Sequence, residues 1–142
     1  MRRMSDSPPF VPQKDSMTPT QIGNLGESAV CRYLEAKGYR ILDRNYRIRG
    51  GEVDIVAEHD DEICFVEVKT RRIGSMERGD EAVDQRKQAR IIRTAYHWCE
   101  AHELDETRYI VRYDIAAVQF WNGAVTDIDY LENAFDESDF SW

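Results

Sequence analysis

The sequence has no apolar run that approaches the length of a membrane-spanning helix, and its first residues lack the apolar region of a signal peptide. It also shows no internal repeat, no linker and no second pattern of elements. Its 142 residues therefore fit one domain with a single core of sheet and helices. We expect a protein that does not enter membranes and that resides in the cytoplasm.

Cysteine is also scarce. The three cysteines, Cys31, Cys64 and Cys99, are far apart in the sequence and lie within apolar patterns. Their odd number and their positions indicate buried, reduced thiols. His97, Cys99 and His102 are close in sequence, but His97 and Cys99 diverge on a predicted helix, which disfavours a zinc site.

The chain lacks an excess of positive charge, since its formal net charge is −8. Six acidic residues and no basic residue lie between Asp127 and Trp142, so most of the net charge belongs to that segment. The rest of the chain is nearly balanced, and nucleic-acid binding is therefore not excluded. We expect a disordered leader at residues 1–17, a folded domain at residues 18–126, and an acidic, aromatic C-terminal tail at residues 127–142.

Periodicity predicts an α/β fold. A capping box at Thr18 and a proline at the first helical position begin a helix that ends near Gly38. The alternation of apolar residues then predicts three strands, a second helix and a fourth strand, and it leaves a further short strand open. These elements are expected at Tyr39–Tyr46, Val53–Ala57, Ile63–Val68, Ala82–His102, Tyr109–Trp121 and Ala124–Ile128. The order α-β-β-β-α-β, with one more strand left open, predicts a mixed central sheet flanked by helices.

The stretch from Gly51 to Arg71 is expected to form a β-hairpin. Its two apolar runs alternate at a period of two and flank an acidic turn. If Asp60 and Asp61 form the turn, the numbers of opposed residues add up to 121. A slip of one residue would mix apolar and charged side chains on both faces, which favours this register.

This register places Asp54 opposite Glu67, and Glu52 opposite Lys69, on one face of the hairpin. The other face carries only apolar side chains and is predicted to face the core. Two opposed carboxylates repel each other unless a cation offsets their charge, and hard oxygen ligands suit Mg²⁺ or Mn²⁺. Lys69 could position a water molecule and stabilise charge on a phosphate, while Glu52 could steady Lys69. The alternative is a solvated strand face with a surface Glu/Lys pair, which the position of Asp54 disfavours.

Two sets of residues resemble known families. Asp54, with Glu67-Val68-Lys69 on the next strand, resembles the D…(D/E)-x-K signature of restriction-endonuclease-like nucleases. A larger set between about Thr18 and Phe120 resembles the YraN-like family, uncharacterised bacterial proteins that are similar to archaeal Holliday-junction resolvases. That set is Gly26-Glu27, Gly38-Tyr39, Arg44-Asn45-Tyr46-Arg47, Gly51-Glu52-Val53-Asp54 and Phe65-Val66-Glu67-Val68-Lys69-Thr70-Arg71. The resemblance implies a restriction-endonuclease-like three-layer fold.

The resemblance also implies roles for individual residues. Asp54, Glu67 and Lys69 are then catalytic, and Asp54, Glu67 and the Val68 carbonyl hold Mg²⁺ or Mn²⁺. Glu27 lies beside the predicted apolar stripe of the first helix. It is either a further acidic group of the metal site or an exposed acid of the first turn that the helix dipole favours.

Basic residues near these carboxylates are candidates for contacts with DNA phosphates, although ordinary solvated charges remain an alternative. Some lead into the Gly50-Gly51 turn, others share the outer face of the second predicted helix, and one lies at the edge of its apolar stripe. The candidate substrate-binding residues are Arg44, Arg47, Arg71, Lys87, Arg86, Arg90 and Arg93.

The sequence therefore predicts a metal-dependent nuclease that hydrolyses DNA phosphodiester bonds, with branched or recombination intermediates as candidate substrates. One alternative is a nucleic-acid-binding module of the same fold that does not cut DNA. Another is an interaction protein that recruits a protein partner through its acidic C-terminal tail. The resemblance to dimeric resolvases leaves a homodimer open, but no dimer face is identified by the sequence.

Overall fold

A computed structural model describes residues 16–74 and 83–140. The predicted leader, apart from Ser16 and Met17, lies outside the described residues, as do residues 75–80 of the loop expected after the hairpin. The elements are α1 (Pro19–Ala36), β1 (Arg40–Ile48), β2 (Gly51–His59), β3 (Glu62–Arg72), α2 (Gln85–Ala101), β4 (Ile110–Trp121), β5 (Ala124–Phe135) and a 3-10 turn (Glu137–Asp139).

The five strands form one mixed sheet in the order β1-β2-β3-β4-β5. Only β3 and β4 are parallel, and α2 connects them, as expected for a parallel pair that needs a long crossover. The predicted α/β class with a mixed sheet flanked by helices is confirmed, and the strand left open by the sequence is present as β5. Within the described residues, neither helix is long and apolar enough to cross a membrane.

The two helices pack on opposite faces of the sheet. Val30 and Leu34 of α1 pack with Ile55 and Val66, whereas α2 packs against Phe65 and its neighbours on the other face. The hairpin face that carries Asp54 and Glu67 is therefore also buried along most of its length, whereas the sequence analysis predicted a core only on the opposite face. The reason is the crossover helix α2, which covers the second face, as helices do beside parallel strands. Only the end that carries Asp54 and Glu67 borders an open cleft.

Two glycines allow both helices to approach the sheet near that end. A Cβ atom at Gly26 of α1 would lie 2.0 Å from the Thr70 hydroxyl of β3. A Cβ atom at Gly51 of β2 would lie 2.1 Å from the Thr94 hydroxyl of α2. Both distances are far below van der Waals contact, so a larger residue at either position would force the helix away from the sheet.

The predicted hairpin register is confirmed over the paired part of β2 and β3. Every pair adds up to 121: Ile55 with Val66, Val56 with Phe65, Ala57 with Cys64, Glu58 with Ile63, and His59 with Glu62. The ladder ends at Ile55 and Val66, whereas β3 continues beside β4 as far as Arg72. The two strands of the hairpin therefore part where the acidic residues begin.

The acidic C-terminal segment is part of the sheet for most of its length. Strand β5 extends to Phe135, past the predicted end at Ile128, and thus crosses the expected boundary between domain and tail. Phe135 is buried and stacks on Tyr113 with ring centroids 5.3 Å apart. The acidic residues Asp127 and Asp129 lie on the exposed side of this edge strand, which masks the apolar pattern of the strand in the sequence.

Candidate active site

Asp54 lies on β2 just beyond the end of the hairpin ladder. Its side chain is 9 % exposed, and Oδ2 accepts a hydrogen bond of 2.8 Å from the backbone N–H of Val68. Burial raises the pKa of Asp54 well above its usual value of 3.8, and the neighbouring Glu67 carboxylate raises that pKa further. Asp54 therefore favours its protonated form, and a nearby cation would be needed to favour the carboxylate.

Glu67 lies on β3 and is 5 % exposed. The Nζ atom of Lys87 lies 2.6 Å from its Oε1 atom. Lys87 belongs to the first turn of α2, where the Asp84 side chain caps the helix and accepts a hydrogen bond from the Lys87 backbone N–H. The sequence analysis proposed Lys87, at the edge of the apolar stripe, as a substrate-binding residue. In the structure, Lys87 forms an ion pair with Glu67.

Asp54 and Glu67 line one cleft of about 490 Å³ between the sheet and the start of α2, which we call the carboxylate cleft. Their shared position agrees with the register that placed them on the same face. The rim is basic, since Arg47, Lys87 and Arg90 also line the cleft. The arrangement combines two buried acids with an opening that is suited to an anion.

Glu27 is on the buried face of α1, at 8 % exposure, so the alternative of an exposed acid of the first turn is wrong. The helix begins at Pro19, which places Glu27 in its third turn, and its buried stripe passes through Glu27, Val30 and Leu34. The apolar stripe predicted from the sequence lies to one side of the buried stripe seen in the structure, and for this reason Glu27 was predicted outside it. Glu27 raises the pKa of Asp54, although less than burial and Glu67 do.

Asn45 was not identified from the sequence as a residue that orients Glu27. Its Nδ2 atom donates a hydrogen bond of 3.1 Å to Glu27 Oε2, and its backbone has the left-handed φ of 52°. Asparagine adopts that conformation more readily than most residues, which explains its presence inside a strand. Arg44 also approaches Glu27, at 3.7 Å, and donates a hydrogen bond to the Ser28 hydroxyl.

Lys69 follows Glu67 by two residues on β3 and pairs with Ala117 of β4. It borders a groove that also contains Glu27, and it borders a larger cavity of about 840 Å³ beside β4 and β5. The predicted pairing of Glu52 with Lys69 falls beyond the end of the ladder. Glu52 instead accepts a hydrogen bond of 3.1 Å from Arg47 of β1, its partner in the neighbouring strand pair.

The predicted substrate-binding residues separate into two groups. Arg86, Arg90 and Arg93 are exposed on α2, and Arg90 reaches the carboxylate cleft together with Arg47. Arg44, Lys87 and Arg71 form the second group, since they contact the acidic residues or lie beside Lys69. Arg44 and Lys87 contact Glu27 and Glu67, respectively, and Arg71 lines the two cavities that flank Lys69.

The donor chemistry of the carboxylate cleft fits a small divalent cation. In the part of the chain that the structure describes, no group of three or more His, Cys, Asp and Glu side chains is arranged to hold a metal ion. Magnesium nevertheless needs only one or two carboxylates, because water and substrate oxygens complete its coordination. Burial and the Glu67 carboxylate raise the pKa of Asp54, and the Lys87 ammonium already lies on Glu67, so a cation bound between the two acids would stabilise their ionised forms.

Sequence comparisons identify the family. Residues 26–118 match the model of the uncharacterised protein family UPF0102. A UPF0102 protein of Trichlorobacter lovleyi is 46 % identical over 116 residues, which cover 81 % of this chain and 90 % of the relative. A UPF0102 protein of Alkaliphilus oremlandii is 43 % identical over 115 residues, which cover 81 % and 97 % of the two chains. The predicted YraN-like membership is confirmed, and this chain belongs to the UPF0102 family.

Proposed function

We propose that this protein is a divalent-metal-dependent nuclease that hydrolyses phosphodiester bonds in DNA. The observation that carries the proposal is the pair of buried carboxylates, Asp54 and Glu67, in a cleft with a basic rim. A purely structural acid pair would be saturated by protein donors, whereas Asp54 accepts one backbone hydrogen bond, and burial and the Glu67 carboxylate raise its pKa.

Asp54, Glu67 and the Val68 carbonyl would hold Mg²⁺ or Mn²⁺. When bound, the ion would polarise the phosphate and lower the pKa of the attacking water. The Val68 N–H fixes one Asp54 oxygen at 2.8 Å, so that the other oxygen remains for the cation. Glu27, anchored by Asn45, supplies further negative charge beside this site.

Lys69 would position the attacking water and stabilise the negative charge that develops on the phosphate. In hydrolysis the water oxygen forms a bond to phosphorus, and one P–O ester bond breaks. Lys69 suits this task because it follows Glu67 by two residues on the same strand, at the side of the groove that contains Glu27. The role is proposed from position and chemistry.

The charge distribution favours one side of the molecule for DNA. Arg47 and Arg90 rim the cleft, and Arg86 and Arg93 continue the basic surface along α2. The exposed acids of β5 lie at the opposite edge of the sheet from β1. DNA phosphates would therefore be attracted to the β1 and α2 side and repelled from β5. Branched DNA remains the candidate substrate that the family resemblance implies.

One observation favours a second candidate, a nucleic-acid-binding module that does not cut. The ammonium group of Lys87 already offsets the charge of Glu67, so the acidic pair is partly compensated without a metal. Such a module would bind DNA through the same arginines and would be insensitive to divalent ions.

Cleavage assays on branched, nicked, duplex and single-stranded DNA, with Mg²⁺ or Mn²⁺ or with a chelator, distinguish the two candidates. We expect metal-dependent cleavage of at least one substrate, and its loss in Asp54→Asn and Lys69→Ala variants that still retain DNA in gel shifts. Retention of DNA without cleavage of any substrate would favour the binding module. Equal cleavage by the variants would contradict the assigned roles.

A further inference from the structure

The ion pair between Lys87 and Glu67 joins a helix to the floor of the carboxylate cleft. Nζ and Oε1 are 2.6 Å apart, and the Glu67 side chain is 5 % exposed, whereas that of Lys87 is 36 % exposed. The carboxylate is thus fixed in the sheet, while the ammonium reaches it from the side that opens to solvent. Of the two partners, Lys87 is the one that is free to move.

The position of Lys87 in α2 is electrostatically unfavourable for a cation. It is the third residue after the cap Asp84, in a first turn that contains no acidic residue and also contains Arg86. The positive end of the helix dipole lies there and disfavours lysine. The attraction of Glu67 offsets this cost, so the place of the ammonium depends on that carboxylate.

One ammonium group does not balance two carboxylates. When both acids are ionised, as metal ligands must be, Asp54 and Glu67 carry two negative charges, and Lys87 supplies one positive charge. A divalent cation would supply two positive charges and would also repel the ammonium group. This repulsion is weakly screened because Glu67 is buried and the cleft is partly shielded from water.

We propose that Lys87 is an internal counter-cation, which holds Glu67 in place in the metal-free protein and is displaced towards the cleft mouth when a divalent cation binds. The inference rests on the metal site of the proposed function. Once displaced, the ammonium lies on the side of Arg90 and Arg47, where a DNA phosphate would approach. Lys87 is therefore a positioning residue for Glu67 before the ion arrives.

Amine acylation followed by peptide mapping tests the displacement without any measurement of activity. The chain has four lysines, Lys14, Lys37, Lys69 and Lys87, and the exposed Lys37 at the end of α1 serves as the reference. Addition of Mn²⁺ should increase the acylation rate of Lys87 several-fold relative to Lys37, because the amine loses its carboxylate partner. An unchanged ratio, in a protein shown to bind Mn²⁺, would overturn the inference.

Calorimetric titration with Mn²⁺ tests the competition, with Arg90→Met as the matched control for Lys87→Met. Each variant removes one cation from the same cleft, but only Lys87 contacts Glu67. Lys87→Met should tighten Mn²⁺ binding by roughly tenfold more than Arg90→Met, a factor that corresponds to about 1.4 kcal/mol. Equal effects would show that Lys87, like Arg90, affects Mn²⁺ binding only through its positive charge, and would overturn the inference.

The same experiments separate failure of the inference from failure of the proposed function. If the natural chain binds no Mn²⁺, both the metal site and the displacement are wrong. If it binds Mn²⁺ but Lys87 behaves like Arg90 in the titration, only the displacement is wrong. If Lys87→Met does not fold, the acylation of the natural chain decides the matter alone.

Discussion

The sheet contains two buried charged clusters that differ in how completely their charges are satisfied. In the first, on β4, Asp114 is fully buried and accepts hydrogen bonds from the Arg112 guanidinium, the Tyr130 hydroxyl and the Asn133 backbone N–H. Arg112 also donates a hydrogen bond of 2.6 Å to the Tyr39 hydroxyl. Both oxygens of Asp114 are therefore occupied by protein donors.

The second cluster, Asp54 and Glu67, has fewer donors. Asp54 accepts one backbone hydrogen bond, from Val68, and Glu67 contacts the ammonium group of Lys87. Both carboxylates lie beside an open cleft, whereas Asp114 is enclosed by its partners. The two clusters are both buried, so burial alone does not distinguish them. They differ in the number of protein donors and in the adjoining cleft, and these two features are the basis for proposing a functional role for Asp54 and Glu67.

Replacing the same residue type in both clusters should give opposite results, and the larger effect is expected at Asp114. The Asp114→Asn variant removes the fully buried carboxylate partner of Arg112, whose remaining partners, Glu62 and Glu132, are more exposed. Breaking a buried ion pair costs about 3–5 kcal/mol. Denaturant unfolding should show that loss of free energy of unfolding. A loss below about 1 kcal/mol would remove the structural role assigned to the pair.

A lysine beside the second cluster should affect chemistry and spare stability. Lys69→Ala should lower the rate of metal-dependent DNA cleavage by at least roughly 100-fold, as expected when a group that acts on the attacking water is removed. The free energy of unfolding should change little, in contrast to Asp114→Asn. Undiminished cleavage would exclude Lys69 from the reaction.

Asp54→Asn should stabilise the metal-free protein, by about 1–2 kcal/mol at neutral pH. The folded state raises the pKa of Asp54 above 3.8, so it retains a proton that the unfolded chain releases. The natural protein therefore loses stability as pH rises from that usual value towards the raised pKa, and asparagine removes this loss while it can still accept the Val68 hydrogen bond. Unfolding curves across this pH range measure the difference. If Asp54→Asn is less stable than the natural chain at every pH, Asp54 has a structural role like that of Asp114.

The sequence predicted the second cluster better than the first. The register that joins Asp54 to Glu67 follows from local alternation within a hairpin, where a slip would expose apolar side chains. Glu67 and Lys87 belong to elements whose packing depends on the β3–β4 crossover, so their pairing was not predictable from a local pattern. Alternation along β4 brings Arg112 and Asp114 to one side of the strand, but the enclosure of Asp114 depends on Tyr130, in the segment that the sequence analysis interpreted as a tail.

The smallest effect concerns the basic surface outside both clusters. Joint replacement of Arg86, Arg90 and Arg93 by glutamine should weaken DNA binding similarly for all sequences. The slope of log affinity against log salt concentration should flatten by about 0.9 for each lost phosphate contact. The free energy of unfolding should remain near that of the natural chain, since these side chains are exposed. An unaltered slope would show that this face does not contact phosphates.

The central claim is that Asp54 and Glu67 bind a divalent cation because the protein leaves them short of positive charge. Thermal unfolding with increasing Mn²⁺ tests it directly, because a ligand that binds only the folded state raises the melting temperature with concentration. The account predicts a progressive rise for the natural chain and, from its lower starting value, for the Asp114→Asn variant, but none for Asp54→Asn. No rise in the natural chain, or an equal rise in Asp54→Asn, would contradict it.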